Sequence, residues 1–271
     1  GGSACNSIVA ASHFGSEAFY AGKVASDKDG GFFVKDLNAV GVAFHRIKPK
    51  HGITGKCLVM VTPDAERTMN TFLGANQELT DDEVEKDELA ASEWLYMEGY
   101  LVTDDERTEV AQKTMAFAKE QGVKTSLSLS DPFVVEIFAQ NIAKVIGDGV
   151  DLLFCNQDEA LSYTQSPDLE SAIEGLKGIA KSFVITQGAN GATAFDGKNV
   201  ISAKAVNTEA VDTNGAGDMF AGAFLYAITS GRDYSWALAF ANAAAARVVS
   251  QFGPRINSVE YDRLKAQFQI N

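Results

Sequence analysis

Between residues 81 and 203 the chain switches repeatedly between short apolar runs and longer amphipathic stretches, and that alternation constrains its fold most. Trp94-Leu95-Tyr96-Met97-Glu98, 124–129, Leu152-Leu153-Phe154-Cys155 and Phe183-Val184-Ile185-Thr186 read as strands. Helical patterns fill the gaps: an acidic helix at 81–91, a long amphipathic one at 103–121 stopped by Gly122, and others at 132–146 and 157–163. Asp131 at a cap followed by Pro132 at the first helical position suits the third of these, because both residues satisfy the geometry of a helix start. Ala192–Phe195 and Val200–Ala203, joined by Asp196-Gly197-Lys198-Asn199, form a hairpin, and helices follow at 216–230, 234–249 and 258–268. Strands alternating with helices over about 150 residues require crossover connections. The expected fold class is therefore α/β: a doubly wound, mostly parallel sheet flanked by helices, with ligands at the carboxyl ends of the strands.

Ahead of this region the pattern differs. Residues 7–20 read as a helix, 22–25 as a short strand, and Asp27 caps a second helix that runs to 37–40. Short strand candidates at 42–47, 57–61 and 67–72 are separated by Pro49, Gly52, Pro63 and Asp64. This predicts a β-rich lid at 41–76 on a body formed by 1–40 and 77–271.

Composition narrows the function. Lys and Arg number 23 against 36 Asp and Glu, a net charge of −13, which argues against a nucleic-acid binder resting on a basic stripe. No apolar run approaches the roughly 20 residues of a bilayer span, and no secretory leader pattern opens the chain. The expectation is a soluble, cytoplasmic protein without membrane partners. Cys5, Cys57 and Cys155 contain no CxxC pair, and His13, His45 and His51 share no helical face, so neither a disulfide framework nor a histidine metal site is expected.

The chemistry concentrates in Asp212-Thr213-Asn214-Gly215-Ala216-Gly217-Asp218, which enters an apolar helix. Glycines there allow unusual dihedrals and close approach of an anion to the backbone. The amides of Gly215, Ala216 and Gly217 would converge at a helix N-terminus, whose dipole favours negative charge. Such an anion hole suits a transferring phosphoryl group. Asp218 beside it makes sense as the residue that holds and deprotonates an acceptor hydroxyl, since a loose phosphoryl transition state asks mainly for positioning. The bland alternative is a flexible turn capped by Asp218.

This heptapeptide resembles the C-terminal signature of the ribokinase/adenosine kinase (PfkB-type carbohydrate kinase) family. Three further stretches match family motifs in the same order: Gly1-Gly2-Ser3-Ala4-Cys5-Asn6, Asn156-Gln157-Asp158-Glu159 and Thr186-Gln187-Gly188. The resemblance implies that Gly2 and Asn6 contact sugar hydroxyls and that Thr186 and Gly188 lie against ATP. It implies also that Asn156 and Glu159 position phosphates and Mg2+, Glu159 acting on the metal through water. Without the family, Asn156 and Glu159 read as a helix cap and capping box. The family often uses K+ near the start of the signature, which makes Asp212 and Thr213 candidates. By the same analogy 240–247 and 251–253 lie near the adenine. Family members also carry a segment ahead of the Gly-Gly motif that supplies a central strand, part of the lid and a sugar-binding aspartate, so the full polypeptide is expected to be longer.

Within the family, Ser128-Leu129-Ser130-Asp131-Pro132-Phe133, Glu98-Gly99-Tyr100-Leu101 and the Asp-Thr-Asn-Gly form of the signature look closest to adenosine kinases. There the counterparts of Leu101 and Phe133 pack against the purine. Two residues depart from that pattern: Asp131 stands where alanine is usual, and Glu98 adds a second carboxylate. The implied activity is ATP-dependent phosphorylation of a nucleoside, adenosine first, by a monomer or homodimer. The alternatives are a kinase of ribose, fructose or a keto-acid sugar, and a non-catalytic nucleotide or nucleoside binder on the same scaffold. No GxxxxGK[ST] occurs, since Gly52-Ile53-Thr54-Gly55-Lys56-Cys57 is too short, and no GxGxxG follows an early strand.

Overall fold

A computed structural model describes residues 1–44, 52–65 and 67–270, and the chain divides into two compact units, Gly1–Glu85 with Ala205–Asn271 and Lys86–Lys204. His45, His51 and the end of the strand expected at 42–47 lie outside the described residues.

The first unit opens with helix α1, Ser3–Phe14, capped by Gly2 and ended by Gly15 at φ 123°. The helix expected at 7–20 thus starts and stops earlier, because glycines on both sides set its bounds. Strand β1 is Ala18–Phe19, helix α2 is Lys28–Ala39 and strand β2 is Val42–Ala43, parallel to β1. No strand forms at the expected 22–25; Val24 and Ala25 are buried there, and the Ala25 amide donates to the Thr54 hydroxyl at 3.1 Å. Asp27 caps α2 through the Gly30 amide and also accepts from the Thr54 amide and hydroxyl, at 2.9 and 2.5 Å. These donors, the Thr54 hydroxyl foremost, hold its carboxyl down at about 2. Thr54 begins β3, Thr54–Val61, which pairs antiparallel with β4, Arg67–Gly74. Both strands of this hairpin are largely exposed.

The second unit holds a six-stranded sheet. Its elements are α3 (Lys86–Ala91), β5 (Trp94–Glu98), α4 (Asp105–Glu120), β6 (Lys124–Ser128), α5 (Pro132–Ile146), β7 (Val150–Asn156), α6 (Gln157–Thr164), α7 (Leu169–Leu176), β8 (Ala180–Thr186), β9 (Ala192–Phe195) and β10 (Val200–Ala203). Strands lie in the order β10-β9-β8-β7-β6-β5, with β5 to β8 parallel and β9 and β10 antiparallel, so the sheet is mixed. The central strands β7 and β8 are buried along most of their length, as parallel strands are. Leu127, Leu153, Phe183, Ile142 and Leu176 meet in one apolar cluster that joins the sheet to α4–α7. The acidic helix expected at 81–91 is broken into a 3-10 turn at Asp81–Glu83 and α3, because Glu83 folds back on Thr80 in a capping box and Val84 is extended. Helix α7 was not expected; its signal is Asp168 as cap followed by apolar residues at Leu169, Ala172, Ile173 and Leu176.

The chain then returns to the first unit with α8 (Ala216–Thr229), α9 (Tyr234–Val249) and α10 (Ser258–Phe268). Phe14 of α1 packs edge-on against Phe240 of α9 and Tyr261 of α10, with ring centroids 4.7 and 5.0 Å apart. Helix α1 also lies directly on α8 at Gly222, where an added Cβ would stand 2.2 Å from the Ser7 carbonyl oxygen and 2.8 Å from Ala10. Gly222→Ala is therefore expected to destabilise the fold by about 1–3 kcal/mol of overpacking despite its better helix propensity, read as a lower urea midpoint. An unchanged midpoint would show that the two helices separate freely.

Candidate active site

The signature loop is shaped by its glycines. Gly215 caps α8 at φ 79°, ψ 2°, a left-handed backbone, and a Cβ there would lie 2.5 Å from Pro254. Only glycine fits on both counts. Gly217 differs: a Cβ there would meet nothing within 4 Å, so its missing side chain leaves clear space over the first turn of α8. First-turn amides, those of Gly217 and Asp218 among them, have no acceptor within their own helix. The Ala216 amide is turned back to the Thr213 carbonyl at 3.3 Å. Open room, free amides and the positive end of the helix dipole together fit a phosphoryl group.

Asp218 stands beside this cradle, and two side chains of α1 hold it. The Ser3 hydroxyl donates to one carboxylate oxygen at 2.7 Å, and the Asn6 amide donates to the other at 2.9 Å. Burial pushes the Asp218 carboxyl up; Asn6, Ser3, Arg67 and Arg255 pull it back without cancelling the rise. Partial desolvation of this kind makes a carboxylate a better proton acceptor.

The loop itself is anchored from two sides. Asp212, 3% exposed, accepts from the Asn214 and Gly253 amides at 2.8 and 2.9 Å, tying the signature to the 251–255 turn. Thr213 donates to the Ala65 carbonyl at 3.2 Å and accepts from Arg67 of β4 at 3.0 Å. Arg67 brings a cation to the anion cradle, and sequence reasoning missed it; nothing local marks one arginine in an exposed strand 146 positions away.

The remaining expected residues lie in the second unit, at the carboxyl ends of its parallel strands. Leu101 follows β5 in a 3-10 turn, and Phe133 follows β6 in the first turn of α5, 62% exposed. Asn156 ends β7 opposite Thr186 at the end of β8, and Gly188 turns the chain just beyond at φ 54°. Asn156 and Glu159 form a full capping box: the Asn156 backbone and side-chain amides donate to Glu159 at 2.9 and 2.7 Å, and the Glu159 amide donates back at 2.8 Å. The bland reading of this motif is thus present as geometry, and Glu159 is buried. Asp131 is accounted for too, since it caps α5 through the Phe133 amide at 2.8 Å. No group of three His, Cys, Asp or Glu side chains suited to a metal occurs among the described residues. Among them, too, no helix is long and apolar enough to cross a membrane.

The chain is a phosphotransferase with an alcohol group as acceptor, on a ribokinase-like α/β fold. The chain belongs to the pfkB family of carbohydrate kinases, whose pattern its residues 1–260 match. Among solved structures it is similar to adenosine kinase from Sinorhizobium meliloti, 35% identical with a TM-score of 0.91, covering 97% of this chain and 82% of that one. A probable sugar kinase from Rhizobium etli is 35% identical with a TM-score of 0.93, covering 99% and 82%. Adenosine kinase of Saccharomyces cerevisiae is 28% identical over 272 residues, covering 94% of this chain and 78% of that protein.

The raised Asp218 carboxyl has a thermodynamic consequence. Its charged form is disfavoured on folding, so stability is withdrawn as pH rises from the ordinary carboxylate range through the raised value. Asp218→Asn cannot ionise and is expected to melt at a higher temperature than the parent at pH 7, the gap closing on acidification towards about pH 4. Equal melting temperatures at pH 7 would mean that the carboxylate is not desolvated.

Proposed function

We propose that the chain transfers the γ-phosphoryl group of ATP to a primary hydroxyl of a ribose-bearing nucleoside, with adenosine as the acceptor. The observation that carries this reading is the Asp218 carboxylate, fixed by Ser3 and Asn6 in the first turn of α8 beside the space that Gly217 leaves clear. In this reading the acceptor hydroxyl donates its proton to Asp218 while its oxygen forms the new bond to phosphorus. The bond from that phosphorus to the β–γ bridging oxygen breaks, and ADP leaves. Gly215, Ala216 and Gly217 shape the anion hole, with the Gly217 and Asp218 amides and the Arg67 guanidinium meeting the phosphoryl charge. Gly2 and Asn6 hold the sugar. The β3–β4 hairpin acts as the lid that excludes water from the transfer.

Asn156, Thr186 and Gly188 hold the nucleotide. Glu159, whose two oxygens each accept one bond from Asn156, would act on magnesium through water. Magnesium bound with ATP would offset phosphate charge, and a single carboxylate with waters is the usual protein share of such a site. Asp212 remains a potassium candidate beside its loop-fixing bonds.

Support for a nucleoside comes from the exposed Phe133 ring at a strand end, which can stack on a base. It comes also from the adenosine kinases among the similar proteins. The Rhizobium etli protein, described as a probable sugar kinase at the same identity, favours a free sugar as the second reading. Release of ADP scored against adenosine, other nucleosides, ribose, fructose and a keto-acid sugar decides between them. Adenosine is expected to give the highest kcat/KM, and a sugar turned over better than every nucleoside would overturn the choice.

Two substitutions test the chemistry. Asp218→Asn is expected to cut kcat by about 10³-fold with nucleotide affinity nearly unchanged. Gly217→Ala is expected to keep or raise thermal stability, since alanine is the better helix former, and yet to lower kcat/KM by about 10–100-fold by crowding the phosphoryl site. Full activity in either variant would contradict the assigned roles.

A further inference from the structure

Arg255 lies in the turn after α9, directly behind the Pro254 that walls Gly215, and its guanidinium reaches three partners on two other helices. Nε donates to the Asn6 side-chain oxygen at 3.0 Å, Nη1 to Asp36 of α2 at 2.6 Å, and Nη2 to the Cys5 sulfur at 3.2 Å. A guanidinium only donates, so the atom of Asn6 that faces it must be the carbonyl oxygen. The amide nitrogen is thereby turned the other way, onto Asp218 at 2.9 Å. Asn6 is 6% exposed, so no bulk water competes for either end.

We propose that Arg255 is a positioning residue for phosphoryl transfer: its Nε–H locks the Asn6 amide so that the nitrogen, not the oxygen, meets Asp218, which keeps that carboxylate ionised and ready to take a proton. Without this bond only Asp218 itself selects which end of the Asn6 amide turns inward, and the preference for the nitrogen weakens. With the oxygen turned inward, two acceptors would face each other, and only a protonated Asp218 would satisfy the pair. Asp218 is faced by Ser3 and Asn6 from α1, by Arg67 from β4 and by Arg255. Arg255 is itself faced by Asp36 and Cys5. Of these, Arg255 alone touches the far end of the Asn6 amide. The proposal rests on the reading of Asp218 as the base, and it adds how the base is kept in its working form.

The test is a 13C-carboxyl NMR titration of Asp218 in the full chain, run beside the pH profile of kcat/KM. Arg255→Lys keeps the positive charge near Asp36 and removes the Nε–H; Arg255→Met removes both. Each is expected to raise the Asp218 midpoint, by about one pH unit. In an Asn6→Ala background the same changes are expected to move it far less, because the coupling runs through Asn6. A midpoint that stays at the parental value in Arg255→Lys, or an equal rise with and without Asn6, would overturn the proposal in favour of a through-space charge. If the midpoint rises while the acid limb of kcat/KM stays in place, the base assignment falls and Arg255 keeps only its hold on the Asn6 amide. Should Arg255→Met fail to fold, Arg255→Lys alone gives the same decision.

Discussion

A carboxylate held partly out of water at the positive end of a helix is the constraint on which the rest of the first unit depends. Asp218 needs three things at once: a helix that begins sharply, donors that keep it charged, and open room beside it. The left-handed Gly215 supplies the first, since the chain must turn into α8 against Pro254 with no Cβ in the way. Ser3 and Asn6 supply the second from α1. Gly217 supplies the third. Each is a backbone or side-chain fact with its own cause, and none replaces another.

The donors are on a different helix from the acid, so their geometry is only as good as the packing between the helices. Gly222 lets α1 approach the α8 backbone, and Phe14 locks the other end of α1 among Phe240 and Tyr261. The loop ahead of α8 is pinned separately, by Asp212 to the Gly253 amide and by Thr213 to the turn and strand of the hairpin. Preorganised dipoles and donors of this kind lower a barrier because they need no rearrangement as charge develops. The residual cost is the desolvation of Asp218, which the fold tolerates at the site where proton transfer is proposed.

Much of this was legible in the sequence because it is written locally. Asp131 with Pro132 marks the start of α5, the hairpin Ala192–Phe195 and Val200–Ala203 announces itself by Asp196-Gly197, and the glycine turn into α8 is a seven-residue motif. Asn156 and Glu159 were legible in both senses, as motif and as capping box. What failed locally was a matter of competing caps: glycines at 2 and 15 redefine α1, and the Thr80–Glu83 box splits the acidic segment before α3. Arg67 and Arg255 were not legible because their partners lie 146 and 249 positions away, and no periodicity carries information over that separation. Family resemblance gave Asn6 a role towards sugar; the bond from Arg255 that orients its amide appears only when the chain is folded.

The most direct measurement is a crystal structure of the protein with adenosine, ADP, magnesium and aluminium fluoride, which mimics a phosphoryl group in flight. The proposed chemistry predicts the fluoride centre against the Gly217 and Asp218 amides, with the Asp218 carboxylate within hydrogen-bond distance of the acceptor hydroxyl. A fluoride centre bound away from the start of α8, or an acceptor hydroxyl paired with a different base, would contradict it.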